Sequence, residues 1–213
     1  MTASGSGFNG SMQHTKRRHL DHGHLSMLFG SKSEFAIEAM IEPGLVPPSS
    51  VYGRMQVWCA NLSIGDFSNP RCSLYPAYLG FKQLVTALPN LWRSDLDGLS
   101  DEQLIDRLDR LLYGSQGDEL LEDDDRTVVE CRRDWEKYGA FNFLTNWGEQ
   151  FDREGKAFIF CPPAQPAKIL VLRRGSNTVL PLHASIPAAA DAIDKFLRWF
   201  DESSALLANQ NSI

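Results

Sequence analysis

The sequence predicts an α+β fold, an antiparallel β-sheet of five to seven strands with three or four helices packed on it. Three observations predict this class. Apolar and polar residues alternate near the amino end, apolar residues recur at helical spacing in the middle, and β-rich runs return in the last third. Links of only a few residues join those last runs, and such short links require antiparallel neighbours. Strands and helices in separate blocks are typical of α+β proteins.

We expect a single domain over residues 27–207, with a disordered tail or leader at residues 1–26 and a disordered carboxy terminus at residues 208–213. The first 26 residues are rich in Gly, Ser and His and contain little that a core could bury. Met27 is a credible alternative start, because structured sequence begins there. The chain has 213 residues, 43% of them apolar, which is enough to bury a substantial core.

The sequence has no feature that is typical of a secreted or membrane protein. Its amino end lacks the apolar stretch of a secretory signal, and no apolar run reaches membrane-spanning length. The four cysteines lie far apart and form no CxxC pair, so we expect free, mostly buried thiols in a reducing compartment. The sequence therefore predicts a cytoplasmic protein without a membrane partner.

Strands are predicted first. In residues 35–41 apolar side chains alternate with polar ones until Pro43, which is typical of a half-buried strand. Residues 54–59 alternate in the same way and predict a second strand. Residues 61–66 are expected to turn the chain into a short return strand.

Helical spacing follows in the middle of the chain. A first helix is predicted over residues 76–88, where apolar residues recur at intervals of three and four before Pro89 stops the run. A second helix is predicted to begin at a capping box formed by Ser100 and Gln103, and to end at Gly114.

A third helix is predicted from a capping box of Thr127 and Glu130 to Gly139. Its spacing predicts a buried face that includes Val128, Cys131 or the stem of Arg132, Trp135 and Tyr138. Four strands are then expected at residues 141–151, 157–161, 168–174 and 178–184. A last helix is predicted to begin at Pro187.

The charge of the chain is concentrated in residues 94–125. This segment holds twelve carboxylates and two arginines, a net of ten negative charges, whereas the whole chain carries −6. A field of this sign favours a basic partner and disfavours direct binding of nucleic acid or of an anionic membrane. A solvated surface without a specific partner is the alternative interpretation of the same charges.

No catalytic motif is present. The sequence contains no nucleophile elbow, P-loop or dinucleotide-binding fingerprint. His183 is the only histidine outside the tail, and we expect it to be a hydrogen-bonded structural residue in a strand. The other four histidines lie in the tail, which would supply metal-binding geometry poorly. We therefore predict no catalytic residues, no cofactor and no metal site.

Residues 27–67 carry a resemblance to a known family. The start MLFGSKSEFAIEAMIEP and the later YGRMQVWCANLSIGDF resemble the opening of the Imm42 family of bacterial immunity proteins, in which FG-x-x-x-x-FAI precedes a strand that runs from Gly to Trp or Tyr. A weaker likeness extends through residues 141–184 and the last helix. The matching positions are Phe29, Gly30, Phe35, Ala36, Ile37, Gly53, Trp58, Asn61, Leu62 and Gly65.

The resemblance implies a non-enzymatic protein that binds a polymorphic toxin domain, such as one delivered by contact-dependent inhibition, and neutralises it in the cytoplasm. The charge pattern agrees if the toxin is a basic nuclease that forms a heterodimer with an acidic surface of this chain. A non-catalytic adaptor with no toxin partner and a metal-dependent enzyme are the alternatives. Tight binding also requires an apolar anchor, for which Trp92 is the first candidate, with Trp58 and Trp147 as other choices. The predicted toxin-binding residues are Trp92, Asp95, Asp97, Asp101, Glu102, Asp118, Glu119, Glu122, Asp123, Asp124 and Asp125.

Overall fold

The computed structural model describes residues 26–42, 51–122, 124–152, 155–176 and 178–210, with side chains up to residue 205. Of the tail expected at residues 1–26, only Ser26 lies within these ranges, and residues 211–213 also lie outside them. The α+β class with antiparallel sheets is confirmed. Within the described ranges the strands divide among three sheets instead of forming a single one.

The first sheet has five strands and is antiparallel throughout. Its strands are β1 (Met27–Ser31), β2 (Phe35–Ile41), β3 (Tyr52–Cys59), β4 (Leu62–Ile64) and β5 (Cys72–Ser73). They lie in the order β1-β2-β3-β4, and β5 also pairs with β3. The alternation that predicted β2 and β3 is confirmed, because Phe35 pairs with Cys59 and Ile37 with Val57, and all four side chains are buried.

The second sheet has three strands, β8 (Gly155–Phe160), β9 (Ala167–Arg173) and β10 (Val179–Ala184), in the order β10-β9-β8. All three were predicted. The third sheet is a hairpin of β6 (Ser115–Gln116) and β7 (Glu119–Leu120), which the sequence did not predict. This hairpin lies within the acidic segment.

The strand predicted at residues 141–151 is wrong. A 3-10 turn covers Gly139–Phe141 and a short helix, α4, covers Glu149–Asp152. Between them the backbone takes positive φ at Leu144 (+63°) and Asn146 (+60°), and an extended strand cannot include such residues. What remains of strand pairing is an isolated bridge from this segment to β8.

The helices are α1 (Tyr75–Ala87), α2 (Asp101–Tyr113), α3 (Val128–Tyr138) and α5 (Ile186–Gln210), in addition to α4. Helix α5 therefore extends three residues beyond the expected domain boundary at 207. Both predicted capping boxes are present, and Gly114 ends α2 in the left-handed conformation with φ +61°. The predicted starts of α2 and α3 are thus confirmed.

The predicted buried face of α3 is largely wrong. Tyr138 is buried at 2% exposure, but Val128 is 78% exposed and Trp135 is 47% exposed. Helix α3 packs mainly on α2 and on the 3-10 turn that follows it, so only its carboxyl end reaches the core.

The core joins the first sheet to α1 and α5. Helix α5 packs on β1, β2 and α1, and Phe196 on α5 meets Phe81 on α1 with ring centroids 5.5 Å apart. The four cysteines form no disulfide with one another, and Cys59, Cys72 and Cys161 are buried, as predicted. Burial raises the pKa of Cys59 and of Cys161 to about 11.

The expectation for His183 is wrong. It lies in β10, as predicted, but its side chain is exposed and makes no hydrogen bond to the described residues. Its backbone carbonyl accepts from the Cys59 thiol at 3.4 Å.

Candidate binding surface

Helix α2 presents an anionic outer face because its other face is fixed in the core. Leu104, Ile105 and Leu108 are buried at 2% exposure or less. The amphipathic spacing then directs Glu102 and Asp106, four residues apart, outward. Two like charges at this spacing repel each other, so a nearby cation would stabilise the exposed face.

A buried ion pair attaches the acidic hairpin to the second sheet. Asp109 on α2 is fully buried, and its carboxylate accepts hydrogen bonds from Lys156 Nζ on β8 at 2.5 Å, Ser115 Oγ at 3.0 Å and the Gly117 amide at 2.7 Å. Lys156 also donates to Ser115 Oγ and to the Gly117 carbonyl. The turn between β6 and β7 is therefore held in place by both charges.

The tip of the hairpin is also bonded to the turn that joins β9 and β10. Asp118 Oδ2 accepts from the Gly175 amide at 3.0 Å, and its Oδ1 lies 3.8 Å from Arg174. Both side chains of this ion pair are more than half exposed, so the pair itself contributes little.

A groove of about 600 Å³ lies between α2, the hairpin and the end of the second sheet. Two arginines line it together with four carboxylates, those of Glu102, Asp106, Asp118 and Glu119. Ile105 and Lys156 also line it. The other residues that line it include Leu172, Arg173, Arg174 and Val179.

Other predicted binding residues are already paired inside the protein. Asp95 accepts from Lys137 Nζ at 2.8 Å and from the Tyr138 hydroxyl at 2.5 Å, and it also lies near Arg93 and Arg107. The hydrogen bonds from Lys137 and Tyr138 hold the pKa of Asp95 well below its ordinary value. Asp95 thus joins the segment before α2 to the end of α3.

Two further carboxylates have similar internal partners. Asp101 accepts from Lys168 Nζ on β9 at 2.8 Å. Asp124 pairs with Arg126 at 2.7 Å, and hydrogen bonds from this guanidinium lower the pKa of Asp124 to about 2. Arg126 also donates to the Arg110 and Leu111 carbonyls at the end of α2.

The predicted anchor, Trp92, is not a free aromatic surface. It is half-buried against the core, and its Nε1 donates to Asp97 Oδ1 at 2.9 Å. Trp147 is buried at 8% exposure. Trp58 is half-buried and donates to Glu38 at 2.8 Å.

The structure thus divides the predicted toxin-binding residues into exposed ones and ones with internal partners. Three of its residues, Glu102, Asp118 and Glu119, line the same groove, and Glu122 and Asp125 are exposed on the segment that follows the hairpin. Asp123 lies outside the described residues. The predicted set omitted Asp106. Its position four residues after Glu102 places both on one face of a helix and could have indicated it.

Between residues 94 and 125, six exposed carboxylates have no lysine or arginine partner within the described ranges: Asp97, Glu102, Asp106, Glu119, Glu122 and Asp125. In the same part of the chain no group of three or more His, Cys, Asp or Glu could hold a metal ion. No described helix is long and apolar enough to cross a membrane.

The fold has a counterpart among solved structures. It is similar to the crystal structure of CdiI from Burkholderia dolosa AUO158, with a TM-score of 0.55 and 13% sequence identity. The likeness covers 81% of this chain and 99% of that one. Among curated proteins none matched the sequence.

The architecture is therefore one that CdiI from Burkholderia dolosa also adopts. The sequence makes the assignment specific, because the family model of Immunity protein 42, Imm42, matches residues 27–179. The chain belongs to this family of immunity proteins, and the resemblance seen in its first strands is confirmed.

Proposed function

We propose that this chain protects the cell that makes it by binding a cognate toxin domain in the cytoplasm and covering the basic surface that the toxin uses on its substrate. The observation that carries the proposal is the match of the immunity-family model to residues 27–179. Within that family assignment, the outward carboxylates of α2 and of the hairpin supply the chemistry of the contact.

The proposed toxin is a nuclease, because nucleases hold phosphates with lysine and arginine. Glu102, Asp106 and Glu119 can take the places of phosphates, and Glu122 and Asp125 extend the negative field beyond the groove. Such a field accelerates the encounter with a cationic surface and orients the partners before they dock. Internal ion pairs hold the segment that carries these exposed acids. They are made by Asp95, Asp101, Asp109 and Asp124.

Exposed ion pairs alone do not provide an inhibitor's affinity. Nanomolar binding corresponds to about 12 kcal/mol, whereas each exposed pair contributes roughly 0.2–1 kcal/mol. An apolar contact is therefore needed beside the acids. Trp92 is a weak candidate for it, because this side chain is half-buried and already bonded to Asp97.

The test is co-expression with the carboxy-terminal toxin domain encoded by the gene adjacent to that of this chain. We expect cells that induce the toxin domain to grow only when this chain is present, and the purified chain to bind the domain and stop its cleavage of nucleic acid. An unrelated toxin domain is the control and should remain lethal. Growth arrest in the presence of the chain would reject the immunity function, and neutralisation of a toxin that cleaves no nucleic acid would reject the nuclease.

A further inference from the structure

A second groove lies where the end of α3 and the segment after it face α1. It has a volume of about 490 Å³ and runs between α1 and the end of α3. None of the described residues that line it is ionisable, in contrast to the charged walls of the first groove. They are Pro76, Leu79, Gly80, Gln83, Leu84, Ala87, Trp135, Gly139, Ala140, Asn142, Thr145, Asn146 and Trp147.

The rim of this groove exposes large apolar side chains. Trp135 is 47% exposed, although one edge of its ring meets Tyr113 with centroids 6.1 Å apart. Leu79 on α1 is 40% exposed. An exposed tryptophan and leucine beside an uncharged concavity form an apolar surface. The free energy falls when a partner covers such a surface.

One polar part of the groove lining is fixed to the second sheet and adjoins an unfavourable backbone conformation. Thr145 Oγ1 donates to the Ala157 carbonyl and accepts from the Ala157 amide. These two hydrogen bonds fix this part of the lining to β8. One residue earlier and outside the lining, the buried Leu144 has φ +63°, a conformation that a leucine rarely adopts. Backbone of this kind is concentrated at binding sites, where the surrounding structure holds it in place.

We infer that this groove receives an uncharged, apolar or aromatic side chain of the toxin domain, and that this contact is the anchor of the complex. The inference rests on the proposed function. An apolar occupant fits because a cation entering the groove would lose its water and find no carboxylate in the described lining.

One partner can cover both surfaces. Trp135 at the rim of the groove packs on Tyr113, the last residue of α2, while Glu102 lies eleven residues earlier on the same helix. That separation corresponds to about 16 Å along the helix axis, a distance that a protein interface of ordinary size spans. The carboxylates would then steer the toxin domain, and the groove would hold it.

The experiment measures the affinity of full-length chain variants for the adjacent toxin domain by calorimetry. Leu79→Gln removes apolar surface without adding charge, and Trp135→Ser removes the aromatic rim. The matched control is Leu62→Gln, because Leu62 on β4 is 41% exposed but lies outside the groove. We expect Kd to rise about tenfold for Leu79→Gln and about thirtyfold for Trp135→Ser. The control should change Kd less than about twofold.

Hydroxyl-radical footprinting of the wild-type complex keeps the test independent of folding defects in the variants. We expect Trp135 to become protected when the toxin domain binds, while Tyr52, which is 42% exposed on β3, stays reactive. Unchanged reactivity of Trp135, or unchanged Kd in both groove variants while the wild type still binds, overturns the anchor and leaves the immunity function standing. Failure of the wild type to bind the toxin domain rejects both the anchor and the immunity function.

Discussion

Replacing Lys156 with methionine tests whether the buried ion pair holds the acidic hairpin. The change removes an ammonium group that donates to Asp109, Ser115 and the Gly117 carbonyl, and it keeps most of the alkyl stem. Asp109 is fully buried, and in the variant its carboxyl group would keep only the Ser115 hydroxyl and the Gly117 amide as donors.

Removing one partner of a buried ion pair costs roughly 3–5 kcal/mol. The Lys156 side chain is 19% exposed and lines the groove, where water can partly replace it, so we expect the lower end of this range, about 3 kcal/mol. In a domain of this size that loss lowers Tm by about 6–12 °C. Thermal unfolding at pH 7, followed by circular dichroism, measures the shift.

The matched control is Lys168→Met. Lys168 pairs with Asp101 at a similar distance, but both side chains are about a quarter exposed, so we expect a loss of roughly 0–1 kcal/mol. The double variant Lys156→Met/Asp109→Asn no longer buries a charge and should be more stable than Lys156→Met alone. Equal losses for Lys156→Met and Lys168→Met, or no recovery in the double variant, would refute the reasoning.

Three further changes have defined outcomes. Because the pKa of Asp95 is lowered on folding, its contribution to stability is complete above its ordinary pKa of 3.8 and is lost as the pH falls below it. The Tm difference between wild type and Asp95→Asn should therefore narrow when unfolding is followed from pH 7 to pH 3, and a constant difference would contradict this assignment. Ser100→Ala removes the amino-terminal cap of α2 and should cost about 1 kcal/mol in urea unfolding, with Ser63→Ala, at an exposed position of β4, as the unaffected comparison. Gly80→Ala places a Cβ 2.4 Å from the Trp147 ring and should cost about 1–3 kcal/mol by thermal unfolding, whereas an unchanged Tm would mean that the ring moves freely.

The parts of the fold that the sequence predicted correctly are those with local signals. The starts of α2 and α3 follow from capping boxes that span three residues, and β2 follows from alternation over seven. The turn at Leu144 has no such signal, because leucine rarely adopts positive φ and only its packing against the rest of the core holds it there.

The division of the acidic segment into paired and unpaired carboxylates was beyond sequence reasoning for a similar reason. The partners of Asp95, Asp109 and Asp101 lie 42, 47 and 67 residues further along the chain. No charge pattern within the segment indicates which distant lysine reaches which acid. The exposure of Trp135 was also beyond sequence reasoning. Its helical spacing suggested burial, whereas in the structure few elements pack against α3.

The most direct test of the proposed mode of binding is the association rate with the adjacent toxin domain as a function of salt, measured by stopped flow. Asp106→Asn/Glu119→Gln/Asp125→Asn neutralises three exposed, unpaired carboxylates of the proposed surface. A control of equal charge change, Glu34→Gln/Asp194→Asn/Glu202→Gln, neutralises three exposed carboxylates elsewhere. Electrostatic steering predicts that the wild-type rate falls steeply as salt rises and that only the first variant slows binding and flattens this dependence. Equal rates and equal salt dependence for the two variants would contradict binding through the acidic surface.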